Sequence, residues 1–263
     1  MPTALLNGTE IFYLDEGKGN PIVFIHGLGA THEMFEPQVE TFSKSHRVIC
    51  PDIRGNGQSG KLTGPIRTVL DRQCDDIALL LDKLGIEKAV FAGTSYGGVF
   101  CFHFVLRYPE RVKALVITDS FGDTQIVGIT EALLMLSQYG ALWSIYLPRS
   151  WLIPAVKHQY RHWPLAQKHL VRIVSHMRNH EHVLQRLAIN AANHTRNLGQ
   201  VHCPALGLVG NFTKVGVRYM QRAMDAIPNS KLEIVPNSFD PTNLCQREIY
   251  DRLVADFLKE IGW

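Results

Sequence analysis

The ten residues 89–98 restrict the fold of this chain more than any other stretch. An apolar run, 89–92, leads into Gly93-Thr94-Ser95-Tyr96-Gly97-Gly98, and an amphipathic run, 99–107, follows. This order predicts a buried strand, a tight turn with Ser95 at its tip, and a helix. The serine lies between glycines at G-x-S-x-G spacing, and so sharp a turn needs neighbours without bulky side chains. Ser95 is therefore the candidate nucleophile, held above the sheet at a helix N-terminus.

Strand-length apolar runs alternate with helix-length amphipathic runs over most of the chain. The predicted strands are residues 21–25, 47–50, 89–92, 112–118, 204–209 and 232–235, after an edge hairpin within 3–16. The predicted helices are residues 31–43, 69–84, 99–107, 215–226 and 246–261. This alternation predicts an α/β fold with a mostly parallel sheet flanked by helices. Residues 122–199 break the rhythm with helical patterns, which predicts a helical cap inserted into a core of residues 1–121 and 200–263.

Charge and hydropathy exclude several classes of protein. The 263 residues carry a net charge of +3, which is too small to argue for nucleic-acid binding. No apolar run reaches the length of a membrane span, and we expect no secretory signal at the N-terminus. The five cysteines are odd in number and widely scattered, which is typical of free thiols in a reducing compartment. The sequence therefore predicts a cytoplasmic protein.

Four segments together resemble the α/β-hydrolase family, and the resemblance extends over essentially the whole chain. They are His26-Gly27-Leu28-Gly29 and the residues 52–59, 93–98 and 203–206. The resemblance implies a nucleophile at Ser95 and oxyanion-binding amides at Leu28 and Tyr96, with His26 and Gly27 beside the pocket. Within 52–59, Asp52 and Arg54 are interpreted as loop architecture, an ion pair with glycine turns.

The usual catalytic triad of the family does not carry over to this chain. The family usually places an acid after the penultimate strand, but the nearest residue here is Thr213, and residues 203–224 contain no Asp or Glu. The family's histidine follows the last strand, where Asp240 stands here beside Phe239. Because the last histidine of the chain is His202, no residue of 203–263 can be that base. The sequence therefore predicts an incomplete triad, with Ser95, Asp119 and Asp240 as the catalytic candidates.

Several residues could take the missing roles, and the sequence leaves the choice open. Asp119 ends the strand after Ser95, where it is either the acid of the site or a strand-end Asp that binds loop amides. Asp240 would be a weak base, because an ordinary carboxyl has a pKa near ~4. Burial would raise its pKa and its basicity together, but would leave it partly protonated at neutral pH. His26 and His103 are interpreted as structural, whereas a histidine of the cap could still reach Ser95.

The predicted cap is strongly basic. Residues 157–196 contain seven Lys or Arg and seven His, against one acidic residue, Glu181. Two histidine pairs have i, i+4 spacing and are read as sharing a helix face: His158 with His162, and His176 with His180. This composition fits a solvated basic face, or an anionic ligand or acidic partner whose binding strengthens as histidines gain charge towards pH 6. A metal site is disfavoured because no carboxylate or cysteine accompanies the pairs, and we predict no metal and no cofactor.

Three functions fit this sequence. The leading interpretation is a carboxylester-type serine hydrolase with an incomplete triad and weak or unusual activity on a small molecule. The alternative is a non-catalytic binding protein that keeps the pocket, with a small molecule or a protein as its partner. Residues 119–124 and 239–245 support it, because they resemble maspardin, a relative that lacks the usual histidine and is regarded as a binding protein. A third interpretation is a cofactor-free lyase that needs only a carboxylate and an oxyanion hole.

Overall fold

A largely parallel sheet forms the centre of the structure, a computed structural model. It describes residues 2–126 and 128–263, and within 129–141 it gives the backbone but not the side chains of Thr130, Glu131, Leu134, Gln138 and Ala141. The eight strands are β1 (Thr3–Leu6), β2 (Thr9–Glu16), β3 (Pro21–Ile25), β4 (Arg47–Pro51), β5 (Ala89–Thr94), β6 (Val112–Thr118), β7 (Ala205–Gly210) and β8 (Ser230–Val235). Their order is β1-β2-β4-β3-β5-β6-β7-β8. The pairs β1–β2 and β2–β4 are antiparallel and all the others are parallel, as predicted.

Helices cover both faces of this sheet. They are α1 (Glu36–Phe42), α2 (Val69–Lys83), α3 (Tyr96–Arg107), α4 (Ile129–Gly140), α5 (Arg149–Gln159), α6 (Pro164–His176), α7 (Asn179–Asn190), α8 (Lys214–Asp225), α9 (Thr242–Cys245) and α10 (Arg247–Glu260). Short 3-10 helices cover His32–Phe35, Ile66–Thr68, Pro109–Arg111, Ala141–Tyr146 and Thr195–Gln200. Alternate side chains of each strand point to opposite faces. In β3, Val23 and Ile25 belong to the hydrophobic core that includes residues of α2, α3 and α8, whereas Ile22 and Phe24 belong to the core that includes residues of α1 and α10.

The parallel strands bring the candidate site residues to one edge of the sheet. The carboxyl ends of β3, β5, β6, β7 and β8 lie side by side, because these strands run in the same direction. Each is followed by a loop that carries a residue singled out from the sequence: Leu28, Ser95, Asp119, Thr213 and Asp240 respectively. Ligands of open α/β sheets commonly bind at this edge.

Helices α4 to α7 fall between β6 and β7. In the described part of residues 119–204 no strand joins the sheet, and an isolated bridge links Asp123 to Asn193 near the ends of this segment. A division into a core and a cap at residues 122 and 199 stays a prediction. No helix among the described residues is both long enough and apolar enough to cross a bilayer.

The prediction that the two histidines of each pair share a helix face is wrong. Helix α5 ends at Gln159 and α6 begins at Pro164, so His158 and His162 do not share a helix. The residue before a proline avoids helical backbone angles, which accounts for the break before Pro164. Helix α6 likewise ends at His176, and α7 begins only at Asn179, beyond an extended Met177.

The loop after β4 is held by an ion pair of Arg54 and, separately, by hydrogen bonds to Asp52. Arg54 makes a bidentate pair with Asp76, with both N···O distances 2.7 Å, and both side chains are buried. Asp52 accepts hydrogen bonds from the ring and the main-chain amide of His32, and from the Gln58 amide. Asp52 and Arg54 therefore shape the loop as predicted, but their charges are balanced by other residues.

Candidate active site

Ser95 occupies a strained turn between β5 and α3. Its φ of 54° and ψ of −113° lie outside the regions that L residues usually adopt. A Cβ on Gly93 would overlap the Gly97 carbonyl, and a Cβ on Gly97 would overlap the Ile25 carbonyl. The Ser95 amide donates to the Thr118 carbonyl at 2.8 Å, and the Ser120 hydroxyl donates to the Ser95 carbonyl at 2.8 Å. These contacts hold the hydroxyl at the tip of the turn.

The amides of Leu28 and Tyr96 are available to an external acceptor. Within the described residues, neither amide donates a hydrogen bond to another group of the protein. Tyr96 opens α3, so its N–H has no partner inside the helix. Its side chain points away from this site and donates to Gln73 at 2.6 Å. The two amides could stabilise an oxyanion formed at Ser95, and their role as an oxyanion hole stays a prediction.

Asp240 lies against the Ser95 hydroxyl. Burial, and after it the charge of the nearby Asp119, raise the pKa of its carboxyl to about 8. A hydrogen bond from Ser95 and the charge of Arg186 act in the opposite direction. The carboxyl is therefore mostly protonated at neutral pH, which agrees with the consequence of burial expected from the sequence.

The loop that carries Asp240 is fixed from the side of helices α5 and α6. The Tyr160 hydroxyl donates to the Asp240 carbonyl at 2.6 Å, and the Trp163 indole donates to the Asn237 carbonyl at 2.8 Å. Both rings also contact the Phe239 ring: the Tyr160 ring is tilted at a centroid distance of 5.6 Å, and the Trp163 ring is stacked at 6.4 Å. The position of Asp240 thus depends on residues far from it in sequence.

Asp119 is engaged by the loops of the neighbouring strands. One carboxyl oxygen accepts from the Gly210 amide at 2.9 Å and the Thr242 hydroxyl at 3.0 Å, and the other from the Thr242 amide at 2.6 Å. Burial raises the pKa of this carboxyl, although all three hydrogen bonds favour its charged form. Asp119 therefore joins the loops after β7 and β8, and its charge acts on Asp240. A catalytic role for it stays a prediction.

The histidines discussed as alternative bases have different surroundings. The fully buried His26 accepts from the Ile53 amide at Nε2 (3.2 Å), so its Nδ1 donates to the Gly27 carbonyl at 2.8 Å. His103 pairs with Asp71 at 2.8 Å. His182 of α7 lines a cavity together with Ser95 and Asp240, and its Nδ1 is buried without a partner. Burial and nearby arginines lower the pKa of His182 to about 4, so it is a neutral, weakly basic group.

Two cavities meet at Ser95. The larger, of 380 Å³, extends towards α8 and includes Phe239 in its wall, and the smaller, of 180 Å³, includes Gly27 and Leu28. Ser95, Asp240 and Arg186 line both. From the sequence, Arg186 was only one of the seven Lys or Arg residues within 157–196, and no local pattern distinguished it from the others. Among the described residues no cluster of three or more His, Cys, Asp or Glu side chains is placed to hold a metal ion.

Residues 20–149 match the family model of the alpha/beta hydrolase fold. The chain belongs to the α/β-hydrolase family. Among solved structures of this fold, it resembles an enol-lactonase from Burkholderia xenovorans (TM-score 0.82, 24% identity, 98% of this chain and 100% of the other). It also resembles an esterase from Exiguobacterium antarcticum (TM-score 0.83, 20% identity, 98% of each chain).

The sequence relatives of this α/β hydrolase match only part of it. A protein named as carbamate hydrolase RutD, from Azorhizobium caulinodans, is 35% identical over 121 residues, which are 46% of this chain and 45% of that protein. The 3-oxoadipate enol-lactonase 2 of Acinetobacter baylyi is 33% identical over 99 residues, 38% of this chain and 36% of the relative. The chain thus spans less than half the length of these relatives.

Proposed function

We propose that this α/β hydrolase is a carboxylester-type serine hydrolase in which Asp240 replaces the histidine of the triad. The observation that carries the proposal is the contact between the Ser95 hydroxyl and a buried, basic carboxyl at the position of the missing histidine. The amides of Leu28 and Tyr96, which donate to no described group of the protein, give further support, as does a sequence relative named as an enol-lactonase.

The reaction would proceed through an acyl-enzyme. The ionised Asp240 accepts the Ser95 proton as the serine oxygen attacks the ester carbonyl, and the amides of Leu28 and Tyr96 stabilise the oxyanion. The intermediate collapses, and the leaving alcohol takes the proton back from Asp240. Water then attacks the acyl group and gives its proton to Asp240. As this second intermediate collapses, the Ser95 oxygen leaves and takes the proton from Asp240, and the carboxylic acid product is released.

This mechanism is expected to be slow. The raised pKa makes Asp240 a better base than an exposed carboxylate, but only its ionised fraction, which is small at pH 7 and grows as pH rises through about 8, can accept a proton. Removal of the base from a serine triad typically costs on the order of 10⁴ to 10⁶ in rate, and a carboxylate would recover only part of that loss.

The alternative is a non-catalytic binding protein that keeps the cavities, as the resemblance to maspardin suggests. Two observations favour it: Asp240 is mostly protonated at neutral pH, and the neighbouring His182 has a pKa of about 4. Under this alternative the carbonyl-binding site remains, but no group near Ser95 removes its proton at neutral pH.

The pH profile of ester hydrolysis distinguishes the hydrolase from the binding protein. For the enzyme, we expect p-nitrophenyl acetate to be cleaved faster as pH rises through about 8, and a fluorophosphonate to label Ser95. Ser95→Ala should abolish both, Asp240→Asn should remove the rise with pH, and the exposed Asp256→Asn is the matched control. Equal rates for wild type and Ser95→Ala would reject the enzyme and support the binding protein.

A further inference from the structure

Arg186 brings a positive charge to both cavities beside Ser95. It lies on α7, one turn after His182, and its side chain is only partly exposed. Within the described residues, no carboxylate lies within ion-pair distance of its guanidinium and no hydrogen bond ties it to the protein. Burial lowers its pKa, and only the charge of Asp240 acts against this. Arg186 is therefore a largely buried cation with no ion-pair partner among the described side chains.

Asp240 does not neutralise Arg186 at neutral pH. A carboxyl with a pKa of about 8 is mostly uncharged at pH 7, so its attraction for the guanidinium is weak there. A buried charge without a partner is costly, and an anion that enters the cavity removes that cost. The planar guanidinium can also bind both oxygens of a carboxylate at once.

We propose that Arg186 binds a carboxylate of the ligand, so that the Ser95 site takes small organic acids, or esters that keep one free carboxylate. The rest of such a ligand is a short apolar chain, because the larger cavity has mostly apolar walls: Phe121, Met135, Val209, Val215 and Phe239. This inference names the substrate class of the Ser95 site and rests on the function proposed for it.

The binding of such a ligand weakens at alkaline pH. The charged and titratable groups around Asp240 are Asp119 at the end of β6, Arg186 on α7, Tyr160 after α5 and Cys245 of α9. Burial raises the pKa values of Tyr160 and Cys245, so both stay neutral below pH 9. As Asp240 ionises, its charge repels the ligand carboxylate and competes for Arg186. Affinity therefore falls as pH rises through about 8.

The three buried histidines of the basic region do not drive this dependence. Burial lowers the pKa of His182 and His194 to about 4, and it also lowers that of His169. His182 and His194 therefore stay neutral between pH 6 and 7.5. Burial of the charged imidazole is unfavourable, which opposes a gain of charge on these three histidines towards pH 6. Stronger anion binding towards pH 6 by the seven histidines of the basic region stays a prediction.

Ligand binding is tested on the Ser95→Ala protein, which cannot turn over an ester. Calorimetry compares hexanoate with the neutral hexanamide at pH 7, and we expect hexanoate to bind at least roughly tenfold more tightly. Arg186→Met should remove this preference, and Arg161→Met, which removes an exposed arginine from the same basic region, should keep it.

Equal hexanoate affinity with and without Arg186, in variants with unchanged circular dichroism, overturns the proposal. If Arg186→Met does not fold, Arg186→Lys must weaken the preference instead.

The pH series separates this inference from the proposed function. Between pH 6.5 and 9, hexanoate affinity should fall in Ser95→Ala and stay level when Asp240→Asn is added. A flat series in Ser95→Ala would overturn the role given to Asp240. If the Ser95→Ala protein shows no preference for hexanoate over hexanamide, the Arg186 site is rejected, even if the wild type hydrolyses p-nitrophenyl acetate. A clear preference without any hydrolysis supports the Arg186 site and rejects the hydrolase.

Discussion

The Asp240 carboxyl beside Ser95 and the imidazole that the family usually has there differ in the pH range over which they accept a proton. An imidazole titrates near neutral pH without help and can shuttle a proton in both directions. The Asp240 carboxyl reaches a pKa of about 8 only because it is buried beside Asp119. Its neutral form is then dominant at pH 7, where a base is needed. The chemistry at this position thus depends on a balance of burial and charge.

Restoring the histidine should increase esterase activity at neutral pH. We expect Asp240→His to raise kcat/KM for p-nitrophenyl acetate at pH 7, because Ser95 and both amides are already in place. The gain should be larger in Asp240→His with Thr213→Asp, since Thr213 lines the same cavity and an acid there can orient the imidazole.

The second substitution has a matched control. The Thr213 hydroxyl caps α8 by accepting from the Gly216 amide at 3.3 Å, and Asp and Asn both cap helices well. Asp240→His with Thr213→Asn therefore keeps the cap without the charge. If neither double variant exceeds the wild type in kcat/KM, the cavity is not arranged for acyl transfer.

The residues of this site differ in how far sequence could predict them. Ser95 was predictable because its turn has a local signature of glycines between a strand and a helix. Asp240 was placed by its order in the chain, after the last strand. Arg186 and His182 were not singled out, because their importance comes from packing of α7 over Ser95, which no local pattern records. The pKa shifts of these groups also arise from that packing.

The turn between β5 and α3 depends on close contact of backbones. At Gly97 an added Cβ would overlap the Ile25 carbonyl of β3, so Gly97→Ala should push β3 and α3 apart. Overpacking of this kind costs about 1–3 kcal/mol or more. At Gly140, which ends α4, an added Cβ meets no described atom within 4 Å.

Urea unfolding of the two alanine variants tests this contact. Gly97→Ala should lower the free energy of unfolding and reduce fluorophosphonate labelling of Ser95. Gly140→Ala should change stability little, or raise it by up to about 1 kcal/mol, because alanine favours a helix more than glycine does. Similar unfolding midpoints for Gly97→Ala and the wild type would mean that the turn tolerates a side chain.

Helix limits were harder to predict than the order of elements. The strands and helices of the sheet region occur in the predicted order, since strands buried on both faces have long apolar runs that are easy to recognise. Between 122 and 199, Pro164 and the extended Met177 separate helices whose histidine spacing had indicated continuity. At the C-terminus, α10 agrees with the predicted helix 246–261, but the short α9 just before it was not predicted. Periodicity alone does not show such breaks.

At the scale of the whole molecule, buried titratable groups should give stability an optimum near pH 6.5. His182 and His194 have pKa values of about 4, below the unfolded value near 6.5, so the unfolded chain binds more protons between these limits. Stability therefore falls as pH falls from 6.5 towards 4. Asp240 has a folded pKa of about 8, above its unfolded value near 4, so the folded chain binds more protons there. Its contribution is present at low pH and is lost as pH rises to 8.

Asp240→Asn isolates the alkaline side of this optimum. Each group contributes at most about 1.4 kcal/mol per pH unit, so the two histidines outweigh Asp240 below pH 6.5 and Asp240 prevails above it. We expect the unfolding free energy of the wild type, measured in urea, to decline between pH 6.5 and 8. In Asp240→Asn this decline should shrink, whereas the decline below pH 6.5 should persist, and Asp256→Asn should behave as the wild type. If wild type and Asp240→Asn decline equally above pH 6.5, Asp240 ionises normally in the folded protein, and the basicity assigned to it beside Ser95 is wrong.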